Sequence, residues 1–353
     1  MPSAERLLPY LQRIDEARWF TNFGPLAGEL EGRLAERLGG AHVVAVSSGT
    51  QALALALRAL AGGDGGYCAM PTWTFVATAH AAVLAGLKPW FVDVDPESWM
   101  LTPEVLRAAL PHAPGKVAAV ISVCAFGRTP ELEPWQAFRA ETGLPVLLDA
   151  AAAFDTLNEA NPPAAVSLHA TKILGAGEGG FVASADKGLV ERIRQLSSFG
   201  FAGSRSARFE ATNAKLSEYA AAVALASLDG WPATRLRYLL AAQRLRIALM
   251  GRPEVVFQPG WGSEWVSSTC VVGLPDDAAG PVGAALAEAG VQSRSWWGEG
   301  CHRHPAFAGA ARTALPVTES LARRTLGLPF AIDITAEEID RVAAALALGL
   351  DRG

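Results

Sequence analysis

Short apolar runs rich in β-branched residues alternate with helical stretches through the first half of the chain. This alternation limits the fold more than any other feature. Residues 42–46 (HVVAV) read as a strand, run into Ser47-Ser48-Gly49-Thr50, and give way to an Ala/Leu helix from 51 to about 60. Residues 67–70 form the next expected strand, and the apolar stretch from Pro71 to about 85 the next helix. Further strands are expected at 89–94, 117–123, 146–149, 166–168 and 181–184, with a helix at 135–142. Strands that are apolar on both faces belong to a mostly parallel sheet covered by helices on each side, a three-layer α/β arrangement. In such sheets ligands collect at the carboxyl ends of the strands, so the residues just after each strand are the candidates for chemistry.

Upstream, Leu26, Leu30, Leu34 and Leu38 repeat at helical spacing until Gly39-Gly40. Thr21 or Asn22 is the expected cap of that helix, with Pro25 early in it. From 214 to about 250 the pattern is helical with a break at Trp231-Pro232. A strand at 270–274 and helices at 281–289 and 336–350 follow. The expected division is a large domain over 1–235, including the N-terminal segment, and a smaller C-terminal α/β domain over 236–353.

Composition excludes several classes. Half of the 353 residues are hydrophobic and 18% are charged, as in a well-buried globule. A net charge of −5 without a Lys/Arg block argues against nucleic acid as a partner. No stretch has 18 uninterrupted apolar residues, so no membrane span is expected. The opening segment lacks a signal pattern, which leads us to expect a cytoplasmic protein. Cys68, Cys124, Cys270 and Cys301 are far apart and read as buried free thiols. Cys301, His302 and His304 have no second cluster to complete a metal site, so no metal is expected.

Residues 167–184 (SLHATKILGAGEGGFVAS) hold two competing signals. Gly175, Gly177 and Gly180 match G-x-G-x-x-G, the spacing of a dinucleotide loop, and Lys172, one of five lysines in the chain, precedes them. A dinucleotide loop needs a helix opening on its glycines, whereas Phe181 onward reads as a strand. A lysine that attacks a cofactor aldehyde needs burial to keep its amine partly unprotonated, and Ala170, Ile173, Leu174 and Gly175 suit that. Pyridoxal phosphate also needs an anion cradle at a helix start, a carboxylate for its ring nitrogen and a flat partner for its ring. Ser48, Gly49 and Thr50 supply the first and Asp149, at the end of its strand, the second. Trp73 and Phe75, after another strand, are the candidates for the third.

Five segments resemble, in order and spacing, the sugar-nucleotide aminotransferases of the DegT/DnrJ/EryC1/StrS family. They are SSGTQALALAL, PTWTFVATAHAAVLAGLKPWFVDVD, LLDAAAAFD, SLHATKILGAGEGG and TNAKLSEYAAAVAL. The likeness spans about residues 20–345. It implies the fold of type I pyridoxal-phosphate transferases, like aspartate aminotransferase. It also implies that Lys172 is the Schiff-base lysine and general acid/base, and that Asp149 is the partner of the pyridinium nitrogen. Ser48, Gly49, Thr50 and Ser167 would hold the phosphate and Phe75 would stack on the ring. Asn213 would reach the partner's phosphate in a homodimer with shared active sites. Two positions depart from the family pattern. Ala152 stands where a Gln usually approaches the ring hydroxyl, and Lys215 where an Arg often follows the cross-dimer Asn.

The resemblance implies transfer of an amino group, with glutamate as donor, to a keto group on a nucleotide-linked sugar. Thr21 and Asn22 lie in the segment that approaches the sugar in the family. Trp73, His169, and an aromatic-basic group of Arg294, Trp296, Trp297 and His302 are further substrate candidates. Two alternatives keep the cofactor: a sugar dehydratase, in whose known forms a His replaces the lysine, and an aminotransferase with a non-nucleotide acceptor. A third is a non-catalytic regulator that has kept the fold.

Overall fold

The computed structural model describes every residue except Asp64 and Gly353. An eight-stranded sheet runs in the order β1-β7-β6-β5-β4-β2-β3-β10. Its strands are β1 (His42–Val46), β2 (Tyr67–Pro71), β3 (Lys88–Val92), β4 (Val117–Val123), β5 (Val146–Asp149), β6 (Ala164–Ser167), β7 (Gly180–Ser184) and β10 (Ala311–Arg312). Only β7 is reversed, lying antiparallel to both β1 and β6, so the sheet is mostly parallel.

Alternate residues of each strand feed opposite cores, as the pleat requires. Val44 and Val46 join Met70, Ile121 and Leu147 under the helices Gly49–Ala61, Val76–Leu84 and Lys187–Leu196. Val43 and Ala45 face the other way, with Leu148 and Phe181, toward the helices Pro25–Arg37 and Glu218–Asp229. A second sheet, in the order β11-β9-β8, is antiparallel; it comprises β8 (Val256–Phe257), β9 (Cys270–Gly273) and β11 (Thr325–Leu328). Its core is closed by the helices Trp231–Ala248, Ala279–Glu288 and Ala336–Arg352.

Residues 235 and 236 fall inside the continuous helix Trp231–Ala248. Trp231 packs in the large core, while Ala241, Ala242 and Leu245 pack in the smaller one, so this helix spans both. The later chain also returns to the large sheet, since Ala311 and Arg312 of β10 pair with Trp90 and Phe91 of β3.

The cap of the helix Pro25–Arg37 differs from expectation. Neither Thr21 nor Asn22 serves; Gly24 is the N-cap and Pro25 the first helical residue. The buried carboxylate of Glu218 instead accepts the N–H of Leu26 at 2.7 Å and of Ala27 at 2.9 Å. A Cβ on Gly24 would stand 2.6 Å from Glu218 Cδ, so only glycine lets the carboxylate come this close.

Candidate active site

The strand ends converge as the parallel topology dictates. β5 ends in Asp149, which is 6% exposed. Its Oδ2 accepts the Thr78 hydroxyl proton at 2.7 Å, and its Oδ1 accepts the Ala151 N–H at 3.2 Å. Burial pushes this carboxyl above its ordinary value, against the pull of Thr78, Ala151 and the Lys172 charge. Lys172 is shifted the other way. Burial lowers the proton affinity of its amine, with only the Asp149 charge opposing. The two groups thus share one poorly hydrated site, where a neutral amine is more accessible than on a surface lysine.

The glycine-rich stretch beside the lysine belongs to the loop 168–179 that joins β6 to β7. Ala170 N–H donates to Gly177 O at 2.8 Å, and Ala176 N–H to Leu168 O at 2.7 Å. A strand, not a helix, opens at Gly180, which removes the dinucleotide reading.

The start of the helix Gly49–Ala61 lies against the end of β6. Ser48 is its N-cap, with Oγ accepting the Gln51 N–H at 3.2 Å. A Cβ on Gly49 would stand 2.7 Å from Ser167 Cβ. The absent side chain lets Ser167 at the end of β6 pack directly against this helix N-terminus, whose first backbone N–H groups suit an anion. Phe75, after β2, is 57% exposed, so its ring has a free face.

The sequence profile of the DegT/DnrJ/EryC1/StrS aminotransferase family matches residues 3–347. The chain belongs to this family. It is 31% identical to the UDP-N-acetyl-3-dehydro-alpha-D-glucosamine 3-aminotransferase of Acidithiobacillus ferrooxidans, over 98% of this chain and 94% of that protein. A crystal structure described as a putative PLP-dependent aminotransferase from Bacillus cereus superposes with a TM-score of 0.92 at 26% identity, over 98% of each chain. DesI, crystallised in the presence of its TDP-sugar product, superposes with a TM-score of 0.88 at 34% identity, over 100% of this chain and 92% of DesI.

Aminotransferases of this family depend on pyridoxal phosphate. The site fits that group: a helix N-terminus packed so closely on Ser167 that only glycine fits at position 49, a buried carboxylate, and an amine of lowered proton affinity. Ala152 is half-buried three residues after Asp149 and offers only a methyl group.

In this aminotransferase the substrate candidates are dispersed. Thr21 and Asn22 are exposed in the turn before Gly24, and Phe20 O of that turn accepts the Glu218 N–H at 3.0 Å. Trp73 is 1% exposed and packs edge-on against Trp297 at 5.6 Å; its indole N–H has no partner among the described residues. Trp297 stacks on Phe126 at 4.2 Å. The expected aromatic-basic group separates. Arg294 is exposed over Trp296, while His302 is buried, with Nδ1 2.9 Å from the Thr72 hydroxyl. Burial and the charges of Arg303 and Arg312 lower the proton affinity of His302. His169 Nδ1 is 2.8 Å from the Thr171 hydroxyl, at the rim of the lysine turn.

Asn213 is exposed, and its Oδ1 accepts from Lys215 Nζ at 2.6 Å. Ala214 O between them accepts the Ser47 N–H at 2.8 Å, which fixes this segment beside the end of β1. Sequence reasoning missed Thr74, Thr78 and Glu218. Thr74 precedes the N-cap Phe75 and Thr78 lies in the first turn of the helix Val76–Leu84, so the two meet across that helix's start.

Proposed function

We propose that this aminotransferase carries an amino group from an amino acid, glutamate in the simplest case, to a keto group on a nucleotide-linked sugar. The observation that carries the proposal is the amine of Lys172, lowered in proton affinity, beside the buried carboxylate of Asp149 at the sheet's carboxyl edge. The nucleotide-sugar part is supported by the likeness to DesI and to the UDP-sugar aminotransferase.

In this reading the backbone of Gly49 and Thr50, with the hydroxyls of Ser48, Thr50 and Ser167, holds the cofactor phosphate. Asp149 takes the ring nitrogen, Phe75 covers the ring, and Lys172 holds the group covalently through Nζ. Bound there, pyridoxal phosphate supplies an electron sink for a carbanion at the substrate carbon. Lys172 Nζ, once released, takes the proton from the donor's alpha carbon and later returns one to the sugar carbon that receives nitrogen. Ala152 leaves the ring hydroxyl without an amide partner at that position. Thr21, Asn22 and Arg294 are the exposed contacts offered to the sugar nucleotide. Trp73, His169 and His302, each held by neighbours, shape the wall. Asn213, joined by Lys215, serves the site of a second copy, so a complete site draws on two chains.

The test is to load the enzyme with the amine form of the cofactor and offer a panel of keto-sugar nucleotides, detecting products by mass. An amino sugar nucleotide with a mass change of carbonyl to amine supports the reading. Its absence with every sugar nucleotide, alongside turnover of a simple keto acid, sinks it.

A further inference from the structure

Asp149 is held by a short hydroxyl chain. Thr78, fully buried in the first turn of the helix Val76–Leu84, donates to Asp149 Oδ2 at 2.7 Å. Thr74, 1% exposed, has its hydroxyl oxygen 2.7 Å from that of Thr78. A hydroxyl has one proton to give and two lone pairs to receive with. While Asp149 is charged it can only accept, so the Thr78 proton is committed to it. The proton in the Thr74–Thr78 contact must then come from Thr74. The chain runs one way, from Thr74 through Thr78 to Asp149. A helical threonine often turns its hydroxyl back to the carbonyl four residues earlier. Thr78 instead reaches across to β5.

We infer that Thr78, backed by Thr74, is a positioning residue that keeps Asp149 charged and turned so that Oδ1 receives the cofactor's ring nitrogen. This rests on the assignment of Asp149 to that nitrogen made above. Oδ1 has the Ala151 N–H as its protein donor and retains capacity for another. The titratable groups that act on or feel this carboxylate are Lys172 and the Cys124 thiol, which burial pushes up and keeps uncharged. When the Lys172 nitrogen is taken up in its bond to the cofactor, the Thr78 hydroxyl and one backbone N–H are the donors left to the carboxylate.

The test compares binding of pyridoxal phosphate with binding of its deaza analogue, in which a CH replaces the ring nitrogen. Wild-type protein should prefer the natural cofactor. Thr78→Val keeps the shape without the hydroxyl and should shrink that preference by about tenfold, the scale of a hydrogen bond to a charged group. Thr78→Ser should retain it. Equal weakening of both ligands by Thr78→Val, or a serine variant that behaves like valine, overturns the inference. Thr74→Val, measured in parallel, should shrink the preference by less. It decides the matter if Thr78→Val does not fold, because an unchanged preference there also overturns the inference. A wild type that binds both ligands equally would overturn the assignment of Asp149 and this inference with it.

Discussion

Lys172 differs from the surface lysines in what burial does to its amine. Its proton affinity lies below the ordinary 10.5, so it becomes neutral at a lower pH than an exposed lysine does. Pyridoxal phosphate followed by borohydride should therefore label Lys172 ahead of the exposed Lys88 and Lys187 near neutral pH. The preference should fade as pH rises toward 10.5, where ordinary lysines also lose their protons. Peptide mapping across that range reads it, and uniform labelling at pH 7 would contradict it. If Lys172 has the role proposed above, Lys172→Ala should remain folded and lose turnover by at least about a thousandfold, since both covalent partner and proton carrier would be gone. Stopped-flow measurement of each half-reaction checks this. That Lys172 and Asp149 fall together in one buried place was legible in sequence, because both stand just after strands, and strand ends in a parallel sheet converge. Thr78 was not, because its partner is 71 residues away and only the sheet order brings β5 near that helix.

At the scale of elements, three buried or half-buried carboxylates fasten segments that are far apart in sequence. Glu218 receives the N–H groups that open the helix Pro25–Arg37. Asp93, just after β3, receives those of Val317 and Thr318 at the start of the helix Pro316–Arg324. Asp155 binds Arg235 at 2.6 Å and the Val266 N–H at 2.9 Å. Removing such an acceptor leaves buried donors without partners. Glu218→Ala should cost about 2–3 kcal/mol of stability. Urea unfolding monitored by circular dichroism would show it as a lower midpoint. A loss below about 0.5 kcal/mol, the scale of an ordinary surface substitution, would show that the cap contributes little. Most helix positions followed from periodicity, as with Leu26, Leu30 and Leu34. The helix Lys187–Leu196 carried an equally plain signal in its Asp186 cap and in Leu189, Val190, Ile193 and Leu196, yet it lay just past the glycine turn that drew the reading. The cap at Gly24 could not be read, because its acceptor arrives from 192 residues away.

For the whole molecule, the proposal of a site shared between two chains makes a quantitative claim. Lys172→Ala and Asn213→Ala should each be weak alone. When the two are unfolded, mixed and reassembled, half of the dimers are mixed. Each mixed dimer holds one site with an intact Lys172 from one chain and an intact Asn213 from the other. Activity should recover to about a quarter of wild type, the product of those two halves. No recovery, with mixed dimers confirmed by native mass spectrometry, would place Asn213 in its own chain's site. The layered α/β architecture was readable from the strand–helix alternation. The reversed β7 and the late return of β10 were not, because neither direction nor edge position leaves a mark on short apolar runs.

That late return matters during synthesis. A ribosome that has extruded the first 250 residues has delivered seven of the eight strands of the large sheet, and the outer rim of β3 is still bare. Such a rim is a template for any passing strand, so the nascent protein is most prone to clump in the interval before Ala311 and Arg312 emerge. A premature stop ahead of residue 311 would make that exposure permanent.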